Sequence, residues 1–350
     1  MSIPGGNLRP KVALVTSGVG TAYGGIGVVA QLIVSALRQE TDLYVWKHPA
    51  ALPRLLRVGI VGGRVILGAL SHPDLVIYDH VHLSVLHAVI PSLRDIPYAV
   101  FMHGIEVWEP LVGRRRESLL GANLLLTNSA TTDAVARKVN PWLPKLEVVW
   151  LGVQGQSCPI DQTAVPPVGL IVGRMASAER LKGHDAVIDA WAEIRAAVPD
   201  AKLMIVGTGN DEQRLRRRVG DKSLCGIEFR GRMSDAERDG MYRASRLLFY
   251  PSKQEGFGLA SAEAASFGVP VLGLAGTVTE ELFPDGTGAV LARDLGGHSI
   301  AQAAIPVLAD TRVASALGRA AWNRVQDNFL EEHFAERFRR ALCPLIPLVR

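Results

Sequence analysis

Short runs of apolar residues alternate with amphipathic stretches along the whole chain. A strand buried on both faces reads as a continuous apolar run, whereas a helix that covers a sheet shows a period of about 3.6 residues. The alternation therefore predicts an α/β protein whose parallel sheets are built from strand–helix–strand units. The predicted strands fall into two groups, 11–16, 43–46, 75–78, 98–102, 124–127 and 147–151, then 168–172, 203–206, 227–229, 247–250, 269–272 and 289–291.

A segment at 152–167 separates the two groups. It contains Gly155, Pro159, Pro166 and Pro167 and has neither a helical nor an alternating period, which is typical of a linker. A chain of 350 residues is long enough for two domains of ordinary size. We therefore predict two doubly wound, Rossmann-like domains facing each other across a cleft, at 1–152 and 153–329.

Composition indicates a well-packed cytoplasmic protein. Hydrophobic residues make up 48% and charged residues 21%, and the first ten residues contain no apolar core of a signal peptide. The longest apolar run, 58–70, is interrupted by Arg64 and is too short to cross a bilayer. The 3 cysteines show neither metal-ligand nor disulfide spacing, as expected in a reducing compartment.

The net charge of +4 belongs to the first half and the C-terminal end. Arg54, Arg57 and Arg64 interleave with apolar residues and predict a basic amphipathic face for anionic lipid, which Arg114–Arg116 would extend. Peripheral contact with the inner face of a membrane is therefore one expectation. An ordinary solvated helix face is the other. Nucleic acid is not favoured, because the patch lacks interleaved aromatics and no nucleic-acid-binding motif occurs.

The most informative segment of the second half contains two glutamates around a glycine turn. Gly256 and Gly258 lie between a predicted strand and a predicted helix, with Glu255 before the turn and Glu263 in the helix. Ligands of α/β sheets bind at such junctions, and glycines let backbone N–H groups approach an anion. The segment predicts a ligand with both hydroxyls and phosphates, such as a sugar nucleotide. In the alternative interpretation the two glutamates bind no ligand, and they are a partner of the helix dipole and a solvated surface charge.

Two cations precede this segment. Arg174 follows the strand 168–172, and Lys182 lies just before the next predicted helix. A guanidinium and an ammonium that converge would neutralise a diphosphate leaving group; surface ion pairing is the alternative. The chain has no Asp-x-Asp pair and no His/Cys cluster with metal spacing. We therefore expect no metal and no resident cofactor.

Two features of the first half also follow predicted strands. The glycine cluster 24–27 precedes a predicted helix at 28–37, but it is not a Gly-x-Gly-x-x-Gly motif, so a nicotinamide site is not expected. His103 ends an apolar strand before Gly104, and its ring should project into the cleft. A lone histidine at a strand end is more often structural.

Together these segments resemble the retaining glycosyltransferases of family 4, which have the two-domain GT-B fold. The resemblance covers most of the chain and rests on the joint order and spacing of its motifs. It implies that a C-terminal helix at about 330–350 packs back on the first domain. The motifs are Gly24-Gly25-Ile26-Gly27, His103-Gly104-Ile105-Glu106, Thr127-Asn128-Ser129, Val172-Gly173-Arg174, Glu179-Arg180-Leu181-Lys182-Gly183-His184, Val206-Gly207-Thr208-Gly209, Phe229-Arg230-Gly231 and the paired-glutamate segment.

The resemblance also implies roles for individual residues. Arg174 and Lys182 would bind the diphosphate, Glu263 the ribose hydroxyls and Glu255 the region of the donor sugar. His103 would approach the sugar and its phosphate. The implied catalytic residues are His103, Arg174, Lys182 and Glu255, and the implied donor-binding residues are Gly25, Gly207, Arg230, Gly231, Gly256, Phe257, Gly258, Leu259 and Glu263.

The expected function is transfer of a hexose of mannose or glucose type from a nucleoside diphosphate sugar to an acceptor hydroxyl, with retention and without metal. GDP-mannose is slightly favoured over UDP-glucose as the donor. The expected acceptor is a lipid-linked or growing glycan in exopolysaccharide or lipopolysaccharide biosynthesis. The alternatives are a nucleotide-sugar epimerase of similar fold, which needs no acceptor, and a non-catalytic nucleotide-sugar-binding subunit.

Overall fold

The structure of the protein is a computed structural model that describes residues 9–47, 72–284 and 286–348. The chain divides into two compact units. Unit 1 comprises Met1–Gly152 and Glu331–Arg350, and unit 2 comprises Val153–Leu330. The predicted basic face at 54–64 and the apolar run 58–70 lie outside the described residues.

Each unit contains one six-stranded sheet, and every strand pair is parallel. The strands of unit 1 are β1 (Lys11–Thr16), β2 (Asp42–Lys47), β3 (Leu75–Tyr78), β4 (Tyr98–Met102), β5 (Leu124–Thr127) and β6 (Glu147–Val148). The strands of unit 2 are β7 (Val168–Val172), β8 (Lys202–Val206), β9 (Ile227–Gly231), β10 (Leu247–Phe249), β11 (Val271–Leu274) and β12 (Ala289–Ala292).

Helices connect these strands, as the alternating pattern predicts. The described α-helices are α1 (Gly24–Leu37), α2 (Val81–Val89), α3 (Arg114–Leu120), α4 (Ala130–Val139), α5 (His184–Ala197), α6 (Glu212–Asp221), α7 (Asp235–Arg243), α8 (Leu259–Ser266), α9 (Val278–Leu282), α10 (Gly297–Ala309), α11 (Thr311–Asn328) and α12 (Glu331–Leu342). None of the described helices is long and apolar enough to cross a lipid bilayer.

The sheet of unit 1 has the strand order β2-β1-β3-β4-β5-β6. Its central strands are fully buried, which explains their uninterrupted apolar sequences. The C-terminal helix α12 belongs to this unit and packs against α1. Phe334 and Phe338 form its buried face, and Arg339 pairs with Glu40 at 3.2 Å. The order of the strands reverses between β1 and β3, so the crevice of this sheet lies at their carboxyl ends.

The sheet of unit 2 has the strand order β12-β11-β10-β7-β8-β9. Numbered from β7, this is the order 3-2-1-4-5-6 of a doubly wound dinucleotide-binding fold. Its core includes Trp191 of α5, Phe249 of β10 and Ile300 of α10, all buried. The strand order reverses between β7 and β10. The loops after these two strands therefore flank the crevice in which such sheets bind ligands.

Two predicted bounds differ from the structure by more than two residues. Helix α1 begins at Gly24 rather than at residue 28, because the first turn of a helix lacks carbonyl partners for its N–H groups and so tolerates residues of low helix propensity. Strand β6 is two residues long rather than five. In unit 2, Ser177–Lys182 forms a 3-10 segment that no apolar period had indicated.

Candidate active site

The loops after β7 and β10 bring the predicted cations and one predicted carboxylate together. The Arg174 guanidinium contacts the carboxylate of Glu179. Lys182 Nζ lies 3.2 Å from the other oxygen of Glu179 and 3.8 Å from Glu255 Oε2. Arg174, Lys182 and Glu255 therefore converge at the point where the strand order reverses. Glu179 bridges the two cations and was missed as a site residue, although its i,i+3 spacing from Lys182 was a usable signal.

An ion network fixes the backbone that carries these cations. Arg180 donates two hydrogen bonds to the Asp211 carboxylate, at 3.1 and 3.0 Å. Arg214 donates two more, at 2.9 and 2.7 Å, and the Asp211 N–H donates to the Met175 carbonyl at 2.9 Å. The hydrogen bonds from Arg214, together with those from Arg180, hold the pKa of Asp211 well below its usual range. The segment Ser177–Lys182 is thus tied to the loop after β8.

Gly207 allows a close approach between the loops after β7 and β8. Its φ is +132°, and a Cβ at this position would lie 2.0 Å from the Gly173 carbonyl oxygen. The Gly207 N–H also donates to the carbonyl of Gly231 at 2.8 Å. A larger residue at Gly207 would therefore force apart the loops after β7 and β8.

A bulge marks the end of edge strand β9. The register with β8 shifts between Ile205 and Val206, which leaves Arg230 as the extra residue before Gly231. Bulges of this kind re-aim a side chain at the rim of a sheet. The Arg230 guanidinium lies 3.2 Å from Glu228 on the exposed surface. Arg230 and Gly231 thus stand at the carboxyl end of the sheet, and among the described residues the Arg230 side chain pairs with Glu228 rather than with Glu179 or Glu255.

Glu263 is held by two side chains of α7. Tyr242, which is fully buried, donates its hydroxyl to Glu263 Oε2 at 2.8 Å, and Arg238 Nε lies 3.3 Å from the same oxygen. Burial raises the pKa of Glu263, and the charge of Arg238 opposes that rise. Burial raises the pKa of Tyr250 too, and the nearby carboxylates Glu255 and Glu263 add to that rise. Tyr250 thus lies close to both predicted glutamates.

The turn between the glutamates ends at the start of α8. Gly258 has a φ of +89°, and a Cβ there would lie 2.9 Å from Ser261 Oγ and 3.1 Å from the Tyr250 ring. The Phe257 side chain is buried against Phe329, with ring centroids 5.8 Å apart. Leu259 is the first residue of α8, whose first N–H groups have no partner within the helix. This turn after Gly256 can therefore present backbone donors to an anion.

In unit 1, His103 is fixed by three hydrogen bonds. Its ring Nε2 contacts the carbonyl oxygen of Asp79, so Nε2 carries a proton. Its backbone N–H donates to Glu106, and its carbonyl accepts from Asn128 at 3.0 Å. Nδ1 is therefore the ring nitrogen that remains to accept a hydrogen bond from a ligand.

Asp79 was not predicted as a site residue. It follows β3 at the point where the strand order of unit 1 reverses, and its residue surface is fully buried. Burial raises the pKa of its carboxyl group to about 7, although the neighbouring Thr16 hydroxyl favours ionisation. Gly25, the remaining predicted residue of unit 1, is exposed in the first turn of α1, where N–H groups lack helical partners.

Within the residues that the structure describes, no group of three or more His, Cys, Asp or Glu side chains has the arrangement needed to hold a metal ion. The candidate site of unit 2 is instead assembled from two cations, three glutamates and the amide groups at the start of α8. Its chemistry is suited to an anion carrying hydroxyl groups.

Residues 166–310, which include every candidate residue of unit 2, match the family model described as Glycosyl transferases group 1. Over these residues unit 2 is similar to the glycosyl transferases group 1 family.

Two of the curated relatives are bacterial proteins. The GDP-mannose-dependent monoacylated alpha-(1-6)-phosphatidylinositol monomannoside mannosyltransferase of Corynebacterium glutamicum is 32% identical over 169 residues, 46% of this chain and 44% of that protein. The glycogen synthase of Mycobacterium tuberculosis is 30% identical over 278 residues, 74% of this chain and 63% of that protein. The chain thus spans less than two thirds of the length of these relatives.

Solved structures match nearly the whole chain. HepE of Anabaena in complex with UDP and glucose superposes with a TM-score of 0.76 at 17% identity, covering 95% of this chain and 99% of that one. Sucrose-phosphate synthase of Thermosynechococcus elongatus superposes with a TM-score of 0.76 at 18% identity, covering 96% and 99%. The two parallel six-stranded sheets are therefore those of the GT-B fold, as predicted.

Proposed function

We propose that the protein transfers a hexose from a nucleoside diphosphate sugar to an acceptor hydroxyl, with retention and without a metal ion. The convergence of Arg174 and Lys182 beside Glu255, at the reversal point of a glycosyl transferases group 1 domain, carries this proposal. In such a reaction the bond between the sugar and the phosphate breaks, and negative charge grows on the leaving diphosphate. Two cations and the N–H groups of α8 would stabilise that charge.

The carboxylates would recognise the rest of the donor. Glu263 has one oxygen committed to Tyr242 and Arg238, and its remaining acceptor sites suit the hydrogens of a vicinal diol such as the ribose hydroxyls. Glu255 lies next to Lys182, so a sugar whose phosphate contacts Lys182 would place its hydroxyls near Glu255. We propose that Arg230 and Gly231 lie beside the nucleotide base. Gly207 would belong to the loop after β8 that approaches the phosphates.

GDP-mannose is the donor that we propose first, because the mannosyltransferase of Corynebacterium glutamicum is GDP-mannose-dependent by name. UDP-glucose is the second choice, since HepE was solved with UDP and glucose. We propose unit 1 as the acceptor-binding unit and a lipid-linked glycan as the acceptor. The exposed arginines Arg114–Arg116 at the start of α3 would favour an anionic lipid surface.

The first experiment is calorimetric titration with UDP, GDP and ADP to identify the nucleotide. Turnover is then measured as release of that nucleoside diphosphate from the matching sugar donor, with phospholipid vesicles and soluble sugars as alternative acceptors. Nuclear magnetic resonance of the product reports whether the anomeric configuration is retained.

Substitution tests the assignment of residues. Lys182→Ala and Glu263→Ala should each lower turnover by about a hundredfold or more while the circular dichroism spectrum is preserved. Lys222→Ala is the matched control, because Lys222 pairs with Asp189 at 2.9 Å on the surface of the same unit. Wild-type turnover in both site variants would refute the assignment. Formation of an epimer without any acceptor would instead identify an epimerase.

A further inference from the structure

Glu179 pairs with both Arg174 and Lys182, the two cations that bind the donor diphosphate in the proposed function. One of its oxygens contacts the guanidinium of Arg174, and the other lies 3.2 Å from Lys182 Nζ. The Glu179 side chain is 17% exposed, whereas that of Arg174 is 73% exposed. One carboxylate therefore pairs with both positive charges, and Lys182 has the Glu255 carboxylate as a second, more distant partner at 3.8 Å.

Hydrogen bonds hold the segment at Glu179 and at the two residues that follow it, so an exchange of partners requires movement of side chains alone. Its N–H donates to the Ala176 carbonyl at 2.8 Å, and its φ of −121° breaks the 3-10 geometry of the segment. The next residue, Arg180, is anchored to the buried carboxylate of Asp211. The carbonyl of Leu181 also accepts from the N–H of Lys253 at 2.9 Å, on the loop after β10.

A diphosphate and Glu179 compete for the same donors. Both are anions, and both require the outer N–H groups of Arg174 and the ammonium of Lys182. Two anions held a few ångströms apart on one cation pair repel each other, since the Coulomb energy of unit charges at that distance is significant even near a protein surface. The Arg174 side chain is mostly exposed, so it can separate from Glu179 by side-chain rotation while Arg180 stays bonded to Asp211.

We infer that Glu179 is an internal counter-anion of the phosphate site, which keeps Arg174 and Lys182 together before a nucleoside diphosphate binds and is displaced when it binds. The inference rests on the proposed function. Glu179 is therefore a positioning residue that sets the affinity of the site. It prevents two cations from repelling each other, and it lowers the affinity for diphosphate by the competition that it offers.

The test is the affinity of Glu179→Gln for UDP, GDP or ADP, whichever the wild-type protein binds most tightly, measured by calorimetry. The amide keeps the shape of the side chain but removes its charge. We expect binding about three- to tenfold tighter than in the wild type. The gain should be smaller for the corresponding monophosphate and absent for the nucleoside, because only the charge of the phosphates is at issue. Glu179→Ala should change affinity in the same direction.

Glu193→Gln is the control, because Glu193 pairs with His298 at 3.0 Å on an exposed surface of the same unit and should leave affinity unchanged. Unchanged or weaker diphosphate binding by Glu179→Gln overturns the inference while leaving the proposed function intact. A gain that is equal for the nucleoside overturns it as well. If the wild-type protein binds none of UDP, GDP and ADP, the proposed function fails and this inference fails with it.

Discussion

Replacing Asp211 by asparagine would test whether the ion network fixes the segment Ser177–Lys182. The buried carboxylate of Asp211 accepts four hydrogen bonds, two from Arg180 and two from Arg214. Asparagine has nearly the same shape but offers only one acceptor oxygen, and its NH2 group would face a guanidinium. The variant therefore removes the charge and half of the acceptor geometry without opening a cavity.

The cost is moderate because both arginines have other ways to be solvated. The Arg180 side chain is 53% exposed and can be solvated by water instead. Losing its hydrogen bonds to Asp211 therefore costs little stability. Arg214 is 29% exposed and keeps two hydrogen bonds of 2.7 Å to Asp185. A hydrogen bond to a charged group contributes about 1.5–3 kcal/mol. After discounting for solvent, we expect Asp211→Asn to lower the free energy of unfolding by about 2 kcal/mol.

Differential scanning calorimetry of the full chain at pH 7 measures this effect. For a unit of this size, about 2 kcal/mol corresponds to a Tm lower by about 4–8 °C. The comparison is Glu212→Gln, which removes the charge of a half-buried i,i+4 partner of the exposed Arg216 side chain and should cost less than about 0.5 kcal/mol. A Tm for Asp211→Asn within about 1 °C of the wild type would refute the reasoning, as would an equal loss in Glu212→Gln.

The pH dependence of the Tm of the wild type and of Asp211→Asn provides a second check. The pKa of Asp211 is lower in the folded protein than in the unfolded chain, so its stabilisation is complete above about pH 4 and is lost as the pH falls through the folded value. The difference in Tm between wild type and Asp211→Asn should therefore narrow in acid. Diphosphate affinity at pH 7 should also weaken in the variant, because the backbone that positions Lys182 is released.

Two further predictions concern single positions. Gly258→Ala should destabilise unit 2 by about 1–3 kcal/mol and weaken diphosphate binding, because φ is +89° and the methyl group would press on the Tyr250 ring. Urea denaturation and diphosphate binding curves that match those of the wild type would contradict this prediction. Burial raises the pKa of Asp79 to about 7, so the folded protein retains a proton that the unfolded chain has already released, and stability falls as the pH rises from about 4 to about 7. Asp79→Asn should abolish that decline, and equal slopes of the urea midpoint against pH in both proteins would count against it.

The sequence predicted the sheets well because buried parallel strands leave a direct signal. The observed strand bounds lie within two residues of those predicted, except at β6, where apolar residues continue beyond the ladder. Those residues, Val149 and Leu151, are buried without belonging to the strand. Apolar character reports burial, and only hydrogen-bond geometry reports a strand. The start of α1 was misplaced for a similar reason, because propensity reports little about the first turn.

The residues of the candidate site that belong to local sequence motifs could be predicted. Hydrogen-bond partners that lie far apart in the sequence could not. Arg174, Lys182 and Glu255 follow two strands that any doubly wound sheet brings together, and the structure places them side by side. The partner of Arg180 lies on the loop after the next strand, and no spacing rule connects the two. The burial of Asp79 likewise depends on which strands become neighbours, which the sequence of β3 alone does not state.

The carboxylates of unit 2 differ in how firmly they are held, and this difference separates their roles. Glu263 has a buried hydroxyl donor and a guanidinium on one oxygen, so its orientation is set before any ligand arrives. Among the described residues, the ion pairs of the Glu179 side chain are with the two cations that a diphosphate also needs. A carboxylate whose partners do not bind the ligand keeps its orientation and can recognise hydroxyls. A carboxylate whose partners also bind the diphosphate is displaced when the diphosphate binds. The fixed backbone around Lys182 allows that exchange without rebuilding the loop.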